Sequence, residues 1–302
     1  MPPFPLSPVG SHTAANRVVV GVDSSTESST ALTWACEAAQ RLQRPLHLVH
    51  AYDGGVADGR SEMFSPVHAD DVGELERAAA RTLSTAVEAA QRPGLSVTSH
   101  LAQGSASACL VEASRTAYAV VTGDRGHSAF AGALLGSVST QTAMHAHAPV
   151  VVVKRRPEPD RPRDGVVVGV DHSDSSEACL AFAFEEAWSR GTHVDVVHAW
   201  SYAHARGADG IGSLRDDLQH HHERLVAESL TGWRHKYPDV QVRTTVLRTE
   251  PLAALVDRAH DSALLVVGSR GRGGFASLVL GSVSHAALQI AGCPVAVVRG
   301  RR

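Results

Sequence analysis

The sequence has little that is typical of secreted, membrane-spanning or nucleic-acid-binding proteins. It contains only four cysteines, and because no two form a Cys-x-x-Cys pair, neither a disulfide framework nor a zinc cluster is indicated. No apolar run approaches the roughly 18 residues that a membrane-spanning helix needs. The net charge of −3 provides no general attraction for nucleic acid or an anionic membrane. These absences favour a cytoplasmic protein in a reducing compartment.

Two segments lack the pattern of a folded domain. Residues 1–16 have neither the basic region nor the apolar core of a signal peptide, and we expect a disordered tail there. Residues 155–164 are rich in arginine and proline and are interpreted as a linker. The segments 17–154 and 165–300 are then two domains of ordinary size.

What the sequence does contain is an internal repeat. The motif Val-Val-Val-Gly-Val-Asp occurs twice, and its aspartates, Asp23 and Asp171, are 148 positions apart. Further along, Gly123 and Gly268 begin similar glycine-rich segments 145 positions apart. A period of this length is too long for a solenoid. We infer one domain that has been duplicated.

Each half alternates short apolar runs with longer alanine-rich runs. This alternation predicts a mostly parallel sheet with helices on both faces. The third strand of each half carries frequent polar residues, which is typical of a sheet edge. The fifth strands, at 150–153 and 295–298, are wholly apolar. Since an exposed apolar edge promotes aggregation, we expect these two strands to pair with each other about a pseudo-two-fold axis.

A glycine loop follows the fourth strand of each half. Its pattern is Gly-x-x-Gly, nine further residues, and then Gly-Ser. In open parallel sheets, ligands lie beyond the carboxyl ends of the strands. Glycine amides and the start of the next helix, expected near Gly281 in the second half, favour an anion there, and arginine suits phosphate. Neither a Walker loop nor a strand-one GxGxxG motif is present, so the loops predict a different kind of polyphosphate site.

These motifs resemble the ATP-binding subclass of the universal stress protein family, in a tandem form similar to its actinobacterial members. The opening and closing segments of each half, such as VVVGVDSSTESSTALTWA and APVVVVKR, carry the resemblance together with the glycine loops. The resemblance implies an α/β fold of two tandem flavodoxin-like (Rossmann-like) domains. Each would be a five-stranded parallel sheet with the strand order 3-2-1-4-5. It also implies that both loops bind ATP, often with Mg²⁺.

The resemblance further implies which residues contact the nucleotide, with the aspartates near the nucleoside and the ends of the second strands near the adenine. In the first half these are Asp23, Ala51, Gly123, Arg125, Gly126, Gly136, Ser137, Val138 and Ser139. In the second half these are Asp171, Ala199, Gly268, Arg270, Gly271, Arg272, Gly281, Ser282, Val283 and Ser284. The aspartates also suit the start of a helix, and a packing role for the histidines that end the second strands stays open beside an adenine contact.

Other conspicuous residues receive plainer interpretations. His220–His222 are expected on a solvated helix surface rather than in a metal site, because adjacent helical residues do not share a face. Three cysteines are expected to be buried, and Cys293, at a turn before a strand, is the best candidate for redox exposure. The segment 52–71 is expected to be a mobile loop over the first site.

The expected function is nucleotide-dependent regulation of a stress or dormancy response, with little or no hydrolysis. Rapid phosphoryl transfer needs a positioned base or water-orienting group, and the loops repeat only the strand-one aspartate. No catalytic residue and no metal ligand is assigned. The alternatives are a slow ATPase on the same fold and an interaction module with vestigial sites. Both a homodimer and an unidentified regulatory protein partner remain open.

The two sites are predicted to differ in affinity, because Asp124 stands where the second site has Ser269. A carboxylate about 4 Å from a phosphate costs ~4 kcal/mol at an effective dielectric constant of ~20, unless it turns outward or helps to hold Mg²⁺. We therefore expect the second site to bind ATP at least as tightly as the first. Calorimetric titration of variants with one intact site measures both affinities, and a tighter first site would contradict the prediction.

Overall fold

The computed structural model describes residues 16–53, 69–126, 135–154, 163–200, 212–271 and 280–300. The first half comprises β1 (Val18–Gly21), α1 (Thr26–Arg41), β2 (Leu46–Tyr52), α2 (Ala69–Ala90), β3 (Val97–Gln103), α3 (Ala106–Ala113), β4 (Ala119–Gly123), α4 (Ser137–His145) and β5 (Val150–Val153). The second half comprises β6 (Val166–Gly169), α5 (Asp174–Arg190), β7 (Val194–Ala199), α6 (Gly212–Lys236), β8 (Val242–Leu247), α7 (Pro251–Arg258), β9 (Leu264–Gly268), α8 (Ser282–Ile290) and β10 (Val295–Val298).

All ten strands form one sheet, in the order β3-β2-β1-β4-β5-β10-β9-β6-β7-β8. Within each half the strands are parallel, and each half has the order 3-2-1-4-5. This confirms the flavodoxin-like fold. The polar strands β3 and β8 lie at the two outer edges, where their exposed side chains meet solvent.

The halves meet through their closing strands. β5 and β10 pair antiparallel, with Val150 opposite Val297 and Val152 opposite Val295. Every residue of both strands is buried. The apolar edges that were expected to need cover therefore cover each other, and the strand order is symmetric about this pair.

A basic side chain just after each closing strand reaches across to the other half. The Lys154 ammonium donates to the carbonyl of Ala291 (3.2 Å), at the end of α8. The Arg299 guanidinium donates to the carbonyl of Ala143 (3.4 Å), in the last turn of α4. Carbonyls in the last turn of a helix lack partners within the helix, so a cation there is favourable.

Two hydrophobic layers enclose the sheet. Alternate side chains of a strand point to opposite faces, and on β1 Val18 and Val20 belong to one layer and Val19 to the other. Residues of α1, α2, α5 and α6 complete the first layer, and residues of α3, α4, α7 and α8 complete the second. The carboxyl ends of the strands are left at the rim between the layers.

Charged side chains fasten α1 to α5 across the two halves. Glu186 is fully buried, and its Oε2 lies 3.1 Å from Arg190 and 3.7 Å from Arg41. Burial lowers the pKa of the Arg41 guanidinium, and the nearby charge of Arg190 lowers it further. Arg44 and Glu185 form a second ion pair at 2.8 Å. In the repeat, Ala38 occupies the position that corresponds to Glu186, so this cluster is not duplicated.

Three sequence-based interpretations need correction. Cys293 is fully buried, so its predicted redox exposure is wrong, and only Cys109 of the four cysteines is partly exposed. His222 is not on a solvated surface, although its neighbours His220 and His221 are exposed. The expected loop at 52–71 is shorter, because Tyr52 belongs to β2 and α2 begins at Ala69.

The predicted tail and most of the predicted linker lie outside the described residues, and so do residues 54–68 and Arg272. Among the helices of the described part of the chain, none is both long and apolar enough to span a bilayer.

Replacement of Glu186 by alanine should strongly destabilise the protein. It would leave the partly buried guanidinium groups of Arg41 and Arg190 without their carboxylate, a loss of about 3 kcal/mol in the free energy of unfolding, at the lower end of the cost of breaking a buried pair. Urea unfolding followed by circular dichroism measures this loss. Glu185→Ala is the matched control, because that carboxylate is partly exposed and its loss should cost below ~1 kcal/mol. A loss in Glu186→Ala as small as the ~1 kcal/mol expected of the control would show that the buried cluster does not stabilise the protein.

Candidate functional site

Each half brings its glycine loop against the aspartate that follows its first strand. A Cβ atom on Gly126 would lie 2.8 Å from Oδ2 of Asp23, and one on Gly271 would lie 2.5 Å from Oδ2 of Asp171. Both distances are shorter than any ordinary carbon–oxygen contact. Glycine at these positions therefore allows the loop backbone to approach the carboxylate.

The same aspartates fix the turn into the next helix. Oδ1 of Asp23 accepts hydrogen bonds from the amide (2.8 Å) and hydroxyl (2.5 Å) of Ser25. Oδ1 of Asp171 accepts from the amide (3.0 Å) and hydroxyl (2.5 Å) of Ser173. The serines, not the aspartates, are the N-cap residues of α1 and α5. One carboxylate oxygen thus holds the turn while the other is directed towards the glycine loop.

The helices after the glycine loops begin without a side-chain cap. Gly136 and Gly281 are the N-cap residues of α4 and α8, which agrees with the helix start expected near Gly281. Their amides donate to the carbonyls of Asp124 (2.6 Å) and Ser269 (2.7 Å), so each helix start is bound to the first turn of its loop. No side chain of the described residues caps either helix. Uncapped first-turn amides are a ready-made site for an anion.

The predicted serines divide into two kinds. Ser139 and Ser284 are 2% and 1% exposed, and their hydroxyls donate to loop carbonyls, including those of Gly136 (3.0 Å) and Gly281 (2.9 Å). Their hydroxyls hold the loop to the helix rather than facing solvent. The exposed residues of the first turn are Ser137, Val138 and Ser282, whereas Val283 is partly buried.

The loop arginines lie at the rim of the sites. The guanidinium of Arg125 is exposed, and its Nε lies 3.8 Å from Oδ2 of Asp124. Arg270 is partly buried, and its carbonyl accepts a hydrogen bond from the hydroxyl of Ser175 (2.9 Å). That hydroxyl also abuts Gly268, where a Cβ would overlap it. Contact with α5 therefore fixes the second loop more firmly at this point.

Asp124 faces the protein interior. It is 6% exposed, and its Oδ1 has no hydrogen-bond partner among the described residues. Desolvation raises the pKa of its carboxyl, against the opposing effects of Arg125 and Lys154. The alternative in which Asp124 turns outward is therefore wrong. The first site carries a buried acid where the second carries Ser269.

The histidines that end the second strands tie neighbouring strand ends together. Nδ1 of His50 lies 2.6 Å from the carbonyl of Val22, and Nδ1 of His198 lies 2.7 Å from that of Val170. Since a carbonyl only accepts, Nδ1 is the donor in both. This geometry supports the packing role left open by the sequence. Ala51, the next residue, is partly buried at the same end of the sheet.

A column of rings beside Ala199 in the second half was not indicated by the sequence patterns. The ring of His198 lies 4.9 Å, centroid to centroid, from the rings of both His172 and His222. The ring of Trp200 stacks on His222 at 4.8 Å. Only contacts between separate elements create this column, although a histidine directly after the strand-one aspartate was a visible difference between the halves.

A cavity of about 610 Å³ lies between α1 and α2 of the first half. It reaches Asp23 at one end, but most of its wall is formed by helix residues such as Leu32, Cys36, Ala78 and Arg81. None of the described glycine-loop residues lines it. The cavity therefore does not coincide with the described part of the glycine loop.

The fold and its paired loops define a tandem flavodoxin-like α/β protein with a glycine loop at the same end of the sheet in each half. The model of the Universal stress protein family matches residues 15–154 and 163–299. The chain is 36% identical over 287 residues to a universal stress protein of Mycolicibacterium smegmatis, covering 94% of this chain and 97% of that protein. It is 38% identical over 287 residues to one of Mycobacterium tuberculosis, covering 93% and 96%. The chain therefore belongs to the universal stress protein family.

The tandem arrangement also occurs in a solved structure. The crystal structure of a universal stress protein from Archaeoglobus fulgidus covers 95% of this chain and 99% of its own, with a TM-score of 0.66. The two sequences are 20% identical, so this likeness supports the fold alone.

Replacement of Asp124 by asparagine should stabilise the protein at neutral pH. The folded protein holds this carboxyl with a raised pKa, so ionisation opposes folding above that pKa and the penalty vanishes as the pH falls towards the pKa of the unfolded chain. Urea midpoints at pH 7 and about pH 4 measure the gain, which should be larger at pH 7. Asp239→Asn, at an exposed turn, is the control. A destabilised Asp124→Asn protein would show instead that the charge is stabilising.

Proposed function

We propose that this universal stress protein binds ATP at both sites and acts as a nucleotide-dependent regulator of a stress or dormancy response. One observation carries the proposal: in both halves a glycine loop, a strand-end aspartate and an uncapped helix start converge at the same end of the sheet. The matched helices α3 and α7 also begin without a side-chain cap, but α4 and α8 are the ones that begin beside a glycine loop held against a strand-end aspartate. Phosphate oxygens are suitable acceptors for the uncapped first-turn amides of α4 and α8.

The residues of each site fit separate parts of the ligand. The amides at the start of α4 and α8 and the exposed Ser137 and Ser282 suit the phosphates, with Arg125 and Arg270 as cationic partners. The strand-end aspartates suit hydroxyls of the sugar. Ala51 and Ala199, at the ends of β2 and β7, suit the adenine side. Mg²⁺ would accompany the phosphates and neutralise part of their charge.

The arrangement supports binding better than rapid catalysis. Phosphoryl transfer needs a positioned base or water-orienting residue. Asp23 and Asp171 already use one oxygen to hold their turns, and Asp124 is buried. We infer that ATP acts as a ligand that favours one state of the loops and of a surface for a regulatory protein.

A slow ATPase is the second candidate, because Oδ2 of each strand-end aspartate is directed at the glycine loop. Steady-state phosphate release distinguishes the two. Turnover above background that is abolished in a D23N/D171N variant would favour the enzyme. Turnover that stays at background while ATP remains bound would favour the regulator.

The amount of nucleotide bound per chain tests the proposed sites. The parent protein, saturated with ATP and Mg²⁺ and desalted, should release close to two ATP per chain on denaturation, one for each repeat. Gly271→Ala should release about half as much, because the new Cβ would lie 2.5 Å from Oδ2 of Asp171. Mass spectrometry identifies the nucleotide, and ultraviolet absorbance counts it.

Gly232→Ala is the matched control, because a Cβ at Gly232 meets no atom within 4 Å. It should bind as much ATP as the parent. ADP in place of ATP would indicate turnover. No nucleotide, with none taken up from solution, would show that the glycine loops are purely architectural and would overturn the proposed function.

A further inference from the structure

The hydrogen bonds made by His198 and His222 limit how many protons the two rings can carry together. Nδ1 of His198 donates to the carbonyl of Val170, which leaves Nε2 as the acceptor in the neutral ring. Nε2 of His198 lies 3.0 Å from Nδ1 of His222, so one N–H stands between the rings. Protonation of His198 with His222 unchanged would place two N–H groups face to face and break this hydrogen bond.

The surroundings make added positive charge unfavourable. His198 is only 3% exposed, and a cation in such a place loses most of its hydration. A third imidazole, His172, packs on its other side at 4.9 Å between ring centroids. Together the three rings hold fewer protons than three free imidazoles would hold in acidic solution.

The ring column is physically continuous with the second nucleotide site. His172 directly follows Asp171, whose carboxylate meets Gly271 of the glycine loop. Trp200, stacked on His222, directly follows Ala199 at the end of β7. A change in the column therefore moves residues on both the aspartate side and the strand-two side of the site.

We propose that the His198–His222 pair couples nucleotide binding at the second site to proton concentration, so that this site is retained near neutral pH and weakens in mildly acidic solution. The proposal rests on the proposed function of that site. The direction follows from linkage: opening the column takes up protons, so the closed form loses stability as the pH falls through the range in which free imidazole titrates, near 6.5.

Several ionisable groups near the pair influence this titration. The negative charge of Asp171, in the turn after β6, favours protonated imidazole and so opposes the exclusion of protons from the pair. Positive charge on the neighbouring imidazoles strengthens that exclusion. His172 lies 4.9 Å from His198 and His221 lies 5.8 Å from His222, measured between ring centroids. The neighbouring elements also carry Cys179 on α5, Glu223 on α6 and Arg248 directly after β8.

The first half supplies an internal control. His50 makes the same hydrogen bond to the strand-one end as His198. Ser24 and Tyr52 occupy the positions of His172 and Trp200 in the repeat, and α2 contains no histidine. Among the described residues no second imidazole pairs with His50, so the first site has the anchoring imidazole without the pair. Once Asp124→Asn has removed the buried carboxyl of the first loop, the affinity of this site is expected to follow only the titration of ATP itself.

Binding measurements on each site separately test the coupling. In an Asp124→Asn background, Gly126→Ala leaves the second site intact and Gly271→Ala leaves the first. The ATP dissociation constant of each is measured by calorimetry between about pH 8 and about pH 5. From high to low pH, the ATP dissociation constant of the second site should rise by a factor about ten times larger than that of the first. A difference of one pKa unit between the closed and open forms of the column gives such a factor. The first site corrects for protonation of the γ-phosphate.

Substitutions then assign the effect to the pair. His222→Gln, in the Gly126→Ala background, keeps a donor for His198 but cannot take up a proton, and the excess pH dependence should disappear. His198→Gln is a second variant with the same expectation, and His220→Gln, on the exposed face of α6, should retain the dependence. Persistence in His222→Gln and His198→Gln, or equal pH dependence at both sites, would overturn the coupling.

Imidazole nitrogen NMR on nucleotide-free protein separates the hypothesis of proton coupling from the hypothesis of ATP binding. Near pH 8, both His198 and His222 should be in the Nδ1–H tautomer, which is the geometry that the hydrogen bonds require. A different tautomer would refute the shared proton directly. These tautomers without ATP binding to either site would overturn the proposed function, and the coupling with it. ATP binding with other tautomers would overturn the coupling alone.

Discussion

The antiparallel pairing of β5 with β10 is the constraint on which the rest of the structure depends. Each closing strand is wholly apolar, and alone it would present a free hydrogen-bonding edge to solvent. Pairing removes both edges at once and joins two five-stranded sheets into one. It also brings α4 and α8 close enough for Lys154 and Arg299 to reach the ends of the opposite helices. Since the same two helices begin at the glycine loops, the interface and the sites share their supporting elements.

The two halves share the same backbone arrangement, but the side chains around their glycine loops differ. Both halves place a glycine against a strand-end aspartate, and both use a histidine to join neighbouring strand ends. Around this common frame the side chains diverge. The first half has the buried Asp124 in its loop, and the second has the column of histidines beside Trp200. The duplicated domain thus keeps one backbone frame at both loops while the side chains around them differ.

The charged cluster between α1 and α5 favours the pairing of a first half with a second half over the pairing of two identical halves. Glu186 has no acidic counterpart in the first half, where Ala38 stands in its place, and Arg41 corresponds to Ser189. Only contact between a first half and a second half brings the acid to Arg41. Glu186 also pairs with Arg190 of its own half, so two identical second halves would keep that contact and lose the one to Arg41. The cluster therefore favours the pairing of a first half with a second half.

The sequence by itself determined the duplication, the mostly parallel α/β class and the place of the glycine loops, because these follow from repeated segments, alternating apolar and helical runs, and glycines at fixed spacing. The strand order was implied by the resemblance to the universal stress protein family, and local patterns alone do not give it. The sequence also indicated that β3 and β8 are edges, since polarity along a strand is visible residue by residue. The tertiary structure alone decided which side chains meet. The hydroxyls of Ser139 and Ser284 bind loop carbonyls, and Cys293 is buried. His222 lies on the face of α6 that contacts His198. Each of these outcomes depends on contact between elements distant in the chain, and local spacing carries no record of such contacts.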